Sequence, residues 1–232
     1  MRKILFASAL LLAATAGIFH HRAAADSGVR VPAPAIDAPL AKAPGSETAI
    51  LSGGCFWGMQ VVFQHVKGVQ QAISGYTGGA AGTASYEEVS TGSTGHAESL
   101  KITFDPSVVS YGTLLHVYFS VATDPTELDR QYPDDGPQYR GEIWVANAEQ
   151  RHIATAYISQ LTADHSFAAP IVTRVDAAMP FYPAEGYHQN YATLNPDSPY
   201  ISTFDAPKVT ALAQLFPKLY MPQPVLVPPG AG

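Results

Sequence analysis

The stretch TAILSGGCFWGMQVVFQHVKG, Thr48 to Gly68, decides the fold. Thr48 to Leu51 is a short apolar run that ends in Gly53-Gly54, the pattern of a strand entering a tight turn. From Phe56 to Val66 the period changes. Trp57, Val61, Val62 and His65 fall on one side at helical spacing, and Gly68 ends the segment. Between the glycines and the helix stands Cys55, the only cysteine in 232 residues.

Outward from this unit, strand and helix patterns alternate. Val69 to Tyr76 is a strand candidate closed by Gly78-Gly79, and Ser85 to Val89 is one helical turn. Glu98 to Phe104, ESLKITF, alternates with strand period and puts Leu100, Ile102 and Phe104 on one face. Ser110 caps a helix over Tyr111 to Ala122, with Leu114, Leu115, Tyr118 and Ala122 as its apolar stripe. Gly141 to Val145 is a strand. Asn147 and Gln150 have capping-box spacing for a helix to about Ala163, with Ile153, Tyr157 and Leu161 inward. Pro170 to Asp176 is a further strand, and Glu185 to Ala192 is read as helical. The expected class is α+β: a two-layer, mixed β-sheet with packed helices, arranged as a ferredoxin-like plait.

The ends have a different composition. Arg2 and Lys3, the apolar run Ile4 to Phe19 and the exit Ala23-Ala24-Ala25 have the form of a secretory signal peptide cleaved near Ala25. The apolar run is short for a membrane span, which needs roughly 20 residues. The expected location is therefore exported, periplasmic or secreted, with no membrane attachment after cleavage; an uncleaved N-terminal anchor is the alternative. Residues 26–46, with Pro32, Pro34, Pro39 and Pro44 among alanines, read as an extended tether. Residues 216–232 form a second proline-rich segment, at the surface or disordered, which leaves residues 47–215 as one domain. Loss of residues 1–25 removes Arg2, Lys3 and Arg22 and no acid. The remaining 10 basic and 19 acidic residues give net −9, which disfavours nucleic acid and anionic membranes as partners.

Exported proteins use cysteines mostly in pairs, so a single one is buried and inert, intermolecular, or reactive. Its place at the start of a helix favours reactivity, because unpaired N–H groups and the helix dipole there stabilise a thiolate. Phe56 and Trp57 fit either a core position or an apolar wall beside the thiol. Other chemistries lack their residues. His96-Ala97-Glu98 has no following Cys-x-x-Cys, there is no His-Glu-x-x-His, and Gly92 to Gly95 is not a nucleophile elbow. No metal site is expected.

Several separated segments then point to one family. GCFWG (Gly54 to Gly58), SGYTGG (Ser74 to Gly79), YEEVSTGSTGHAE (Tyr86 to Glu98), DPTELDRQYPDDGPQYR (Asp124 to Arg140), FYPAEGYHQNY (Phe181 to Tyr191) and NPDSPY (Asn195 to Tyr200) occur in this order. Together they resemble the A-type peptide methionine sulfoxide reductases over about Ala49 to Lys208. The resemblance implies a nucleophile at Cys55, an acid at Glu98 that protonates the sulfoxide oxygen, and hydrogen bonds to that oxygen from Tyr86 and Tyr139. It implies a methyl pocket walled by Phe56 and Trp57, with Asp134 supporting the site or the substrate backbone. Asp134 and Asp135 alone read as a polar turn; only the pattern Asp-x-Gly-x-Gln-Tyr selects Asp134. His188 and Gln189 fit a role in the site or a helix surface equally well.

The chemistry is coherent. Sulfoxide oxygen leaves poorly unless it is protonated, and a carboxyl with a raised pKa can supply the proton near neutrality. Two phenols polarise S=O without bringing charge to a neutral substrate. A pocket shaped for one methyl accepts one sulfoxide epimer over the other; the resemblance implies the S epimer, in free or protein-bound methionine.

The departure is in the tail, where many relatives carry further cysteines and this chain has none. A Cys55 sulfenic acid therefore requires an external thiol: a thioredoxin-like or glutaredoxin-like protein, or glutathione. No bound cofactor is expected, and the resemblance leans to a monomer. Two alternatives stand beside the reductase. A secreted Cys hydrolase or acyltransferase needs a His base that nothing in the sequence designates; a non-catalytic binding domain has no use for Cys55, Glu98, Tyr86 and Tyr139 together.

Overall fold

The computed structural model describes residues 28–230; the proposed signal sequence lies outside them. The strand expected at Thr48 forms as β1 (Glu47–Ser52) and the helix after it as α1 (Phe56–Gln64). Then follow β2 (Val69–Thr77), α2 (Tyr86–Val89), β3 (Ala97–Phe104) and α3 (Tyr111–Val117), which continues as a π-helical turn over Tyr118–Ala122. A small hairpin, β4 (Arg130–Gln131) with β5 (Asp134–Asp135), precedes β6 (Glu142–Val145), α4 (Ala148–Ala163) and β7 (Arg174–Ala177). The chain ends with β8 (Phe181–Pro183), α5 (Tyr191–Leu194) and α6 (Ala206–Leu215).

Six strands make one mixed sheet in the order β7-β6-β1-β3-β2-β8. All neighbours are antiparallel except β6 and β7. Both β1 and β2 run antiparallel to β3, so they run parallel to each other, and α1 is the crossover between them. The strand period decides what meets the helices. Ala49 and Leu51 of β1, Leu100, Ile102 and Phe104 of β3, and Ile143 and Val145 of β6 form one core with Met59, Val62 and Phe63 of α1 and Ile153, Tyr157 and Leu161 of α4. On the other face Ile50, Lys101 and Thr103 are only half-buried. The fold is α+β, with helices on one face of the sheet.

The caps act as their residue types dictate. Ser110 Oγ accepts from Thr113 N–H at 3.1 Å, and Asn147 Oδ1 from Gln150 N–H at 2.8 Å, while Gln150 Oε1 takes Ala146 N–H. Gly54 makes the turn before Cys55 at φ +93°, where a Cβ would also lie 2.6 Å from Gln131 Cγ. Gly54→Ala should therefore cost about 2 kcal/mol of stability by urea unfolding; an unchanged midpoint would mean that the turn tolerates a side chain.

Some expectations need revision. Residues 28–46 have no regular secondary structure, but they lie along the domain instead of standing apart from it. The segment is held through both kinds of backbone group: Val29, Ala35 and Ala41 N–H donate to Ser120 O, Gln160 Oε1 and Pro106 O, and side chains of α3 and α4 meet its carbonyls. Tyr157 OH donates to Pro32 O, Gln160 Nε2 to Ala33 O, and His116 Nε2 lies 2.8 Å from Val31 O. The proline-rich tail also docks, through Met221 N–H to His65 O and Val225 N–H to Gln64 O. The expected helix at Glu185 to Ala192 is broken into a 3-10 turn, Gly186–His188, and short α5, because Asn190 between them takes a left-handed conformation, φ +59°.

Candidate active site

β1 delivers Cys55 to the start of α1, and β3 runs back beside it. Because Leu51 pairs with Leu100, the N-terminal end of β3 lies next to the Gly-Gly turn. Glu98 shares the strand face of Leu100 and Ile102, and its Oε2 accepts the Phe56 N–H at 2.8 Å, an unpaired donor of the first helical turn. Tyr86 opens α2, and its N–H is held by Glu185 Oε1 at 2.9 Å. Tyr139 ends a 3-10 turn that Arg140 clamps to the approach to β3, donating to Pro137 O, Gly95 O and His96 O while pairing with Glu142. Asp134 sits on the β4–β5 hairpin and accepts from Tyr200 OH.

These elements converge on a pocket of about 220 Å³ lined by Cys55, Phe56, Trp57, Tyr86, Glu98, Asp134, Tyr139 and Tyr200. All seven residues singled out in the sequence are therefore together. A roomier recess of about 390 Å³, lined by residues such as Val61, Ile201 and Val209, holds no carboxylate, thiol or imidazole; chemistry, not size, picks the smaller one. Phe56 is buried and Trp57 half-buried, with the Trp57 ring stacked on Tyr191 at 4.0 Å and edge-on to Tyr200 at 6.0 Å. The Tyr86 and Tyr139 hydroxyls donate to no group among the described residues, so both are free for a ligand oxygen.

The electrostatics differ from the sequence expectation at one point. Cys55 is the N-cap residue of α1, yet burial, then Glu98 and Asp205, push its thiol well above the ordinary value, and the opposing Trp57 N–H does not compensate. Desolvation of the half-buried sulfur outweighs the helix-terminal N–H, so the site favours the thiol over the thiolate. Glu98, 4% exposed, is pushed up to about 8 by burial, with Asp134 adding to the shift and the Phe56 N–H opposing it. It is a carboxylic acid at neutral pH, as an acid catalyst must be. Burial, followed by Glu98, raises Tyr86 and Tyr139 as well, which keeps both phenols protonated donors.

Two groups escaped the sequence reading. Tyr200 completes the wall. Asp205, in the π-helical turn Ile201–Asp205, is 1% exposed; neither carboxyl oxygen has a hydrogen-bond partner among the described residues, and Lys208 Nζ lies 3.7 Å away. Burial raises Asp205 to about 6 against the pull of Lys208, so it is largely ionised at neutral pH and adds to the field opposing a Cys55 thiolate. An irregular turn has no periodic signature that would have revealed it. His188 and Gln189 are buried, not on a helix surface; Gln189 bridges Gln60 of α1 and Ser74 of β2. No His lines the pocket or hydrogen-bonds Cys55 among the described residues, so a Cys–His hydrolase pair is not formed.

Residues 47–219 match the family model for peptide methionine sulfoxide reductase. The chain belongs to the peptide methionine sulfoxide reductase family. Peptide methionine sulfoxide reductase MsrA 2 of Mesorhizobium japonicum is 61% identical over 185 residues, covering 80% of this chain and 95% of the relative. Among solved structures, methionine sulfoxide reductase A of Corynebacterium diphtheriae is similar at 32% identity and TM-score 0.55, over 74% of this chain and 87% of that one. Mxr1 from Saccharomyces cerevisiae in reduced form is similar at 26% identity and TM-score 0.60, over 72% and 98%. An A-type reductase was what the sequence motifs implied.

Proposed function

We propose that this oxidoreductase reduces methionine-S-sulfoxide, free or in proteins, to methionine, taking the oxygen onto Cys55 as a sulfenic acid that an external thiol then clears. The observation that carries this reading is the single pocket in which a thiol, a protonated carboxyl, two unengaged phenols and an aromatic wall meet. The sulfoxide methyl lies against Phe56 and Trp57, and Tyr86 and Tyr139 donate to the oxygen, with Asp134 supporting Tyr200 and the substrate backbone. Cys55 Sγ attacks the sulfoxide sulfur as Glu98 protonates the oxygen. The oxygen ends on Sγ, methionine departs with the electron pair, and the thiol proton returns to Glu98. The balance is thiol plus sulfoxide to sulfenic acid plus thioether, a two-electron transfer.

With one cysteine in these 232 residues, the sulfenic acid meets no second thiol of the chain. A thioredoxin-like or glutaredoxin-like protein or glutathione forms a mixed disulfide with release of water, and a second thiol frees Cys55. The basic start, apolar run and Ala-x-Ala exit support export to a periplasm-like or secreted location, where residues 47–215 act as the catalytic domain. A monomer suffices, since one chain supplies every group around the pocket. The order β6-β1-β3-β2 with the α1 crossover supports a ferredoxin-like plait at the centre of the sheet.

The test offers separate S and R epimers of a methionine sulfoxide with dithiothreitol. The S epimer should turn over and the R epimer should not; equal rates would remove the methyl-pocket reading.

A further inference from the structure

Of the buried imidazoles among the described residues, His65, His96 and His188, it is His188 that stands against Phe56, Trp57 and Tyr86 of the pocket without a part in the sulfoxide chemistry. It is 2% exposed and stands behind the apolar side of the pocket. Its ring centroid lies 5.0 Å from Phe56, 5.7 Å from Trp57 and 4.6 Å from Tyr86. Its Nδ1 accepts the Trp57 Nε1–H at 3.2 Å. Nε2 has no hydrogen-bond partner among the described residues. Glu185 Oε2 is 3.8 Å from it and is engaged by Tyr76 OH, while Glu185 Oε1 takes the Tyr86 N–H. Acceptance at Nδ1 requires the neutral ring with its proton on Nε2.

We propose that His188 is a positioning residue: its neutral imidazole holds the Trp57 indole as the fixed wall of the methyl pocket, and protonation releases that wall. The proposal rests on the reading of Trp57 as that wall. In the imidazolium Nδ1 becomes a donor facing a donor, and the anchor is lost. Trp57 keeps its stacking on Tyr191, so the indole shifts within the pocket and does not leave it. The groups facing His188 are Glu185 and Tyr187 of its own turn, Tyr86 of α2 and, through Glu185, Tyr76 of β2; α1 contributes only the uncharged Phe56 and Trp57. Burial lowers the His188 pKa and Glu185 pulls it back up, so release of the wall is confined to acid pH. Substrate binding changes, whereas the groups of the chemical step, Cys55 and Glu98, are untouched.

The experiment compares wild type, H188N, H188L, W57F and the H188L/W57F double variant with methionine-S-sulfoxide and dithiothreitol between about pH 7.5 and about pH 5. Asparagine places an acceptor near the position of Nδ1 and does not titrate. Wild-type KM should rise roughly fivefold toward acid pH, the effect of one lost hydrogen bond, while kcat moves less. H188N should show no such rise, and H188L should carry the raised KM at every pH. In the W57F background H188L should add nothing. Fluorescence supplies a second readout, since Trp57 and Trp144 are the only two tryptophans. Wild-type emission should dim on acidification, H188N and W57F emission should not, and H188N serves if H188L does not fold. Identical acid profiles for wild type and H188N, or additive H188L and W57F effects, overturn the proposal while leaving the wall reading in place. A W57F enzyme with wild-type KM removes the wall reading and the proposal with it.

Discussion

Cys55→Ser should abolish sulfoxide reduction, by at least ~10,000-fold in kcat/KM, while leaving the fold intact. The loss has two causes. A serine hydroxyl is a far weaker nucleophile toward sulfur, and an oxygen delivered to it would have to form an O–O bond, which no step of this chemistry drives. The fold should not suffer, because position 55 is the N-cap of α1 and its sulfur makes no side-chain capping hydrogen bond. Serine is a preferred N-cap residue, so C55S should be as stable as the wild type or up to about 1 kcal/mol more stable. Urea unfolding together with the sulfoxide assay checks both halves. Residual turnover near the wild-type rate would mean that another group reduces the substrate.

Glu98→Gln should lower kcat by roughly 100- to 10,000-fold, the usual contribution of a positioned general acid. Wild-type activity should also fall as pH rises through about 8, where Glu98 loses the proton it must donate. The same group links pH to stability. Its folded pKa is raised from 4.5 to about 8, so its contribution to stability is complete below 4.5 and is lost as pH rises through about 8. Glutamine removes this dependence. The stability of wild type relative to E98Q should therefore fall by about 2–3 kcal/mol between about pH 6 and about pH 9.5, as measured by urea unfolding at both. Parallel pH curves for the two proteins would mean that Glu98 is ionised throughout, and the acid would have to be sought elsewhere.

Much of the site was legible because it rests on regular elements. The strand period of ESLKITF puts Glu98 on the face of Leu100, Ile102 and Phe104, which is the face α1 covers. The Gly-Gly break before an apolar helix puts Cys55 at that helix's first turn. The two chemical partners follow from two periodicities and one turn. The protonation state of Cys55 was not legible, because it depends on desolvation and then on the charges of Glu98 and Asp205, which only tertiary packing brings to bear on the thiol. Asp205 and Tyr200 come from irregular C-terminal backbone without a repeating pattern. The hairpin carrying Asp134 has strands of only two residues each, too short for any alternation to register. Proline content sets residues 26–46 apart from the domain in the sequence. The side chains of Tyr157 and Gln160, which bind its carbonyls, lie more than a hundred positions away in the chain.

One turnover without reductant tests the chemistry at its centre. Mixed with excess methionine-S-sulfoxide and dimedone in the absence of thiol, the protein should yield one methionine per chain and stop, with the dimedone adduct on Cys55 alone. Added thiol, without dimedone, should restore turnover. Methionine produced beyond one equivalent without thiol, or full production with Cys55 left unmodified, would contradict a Cys55 sulfenic acid cleared by an external thiol.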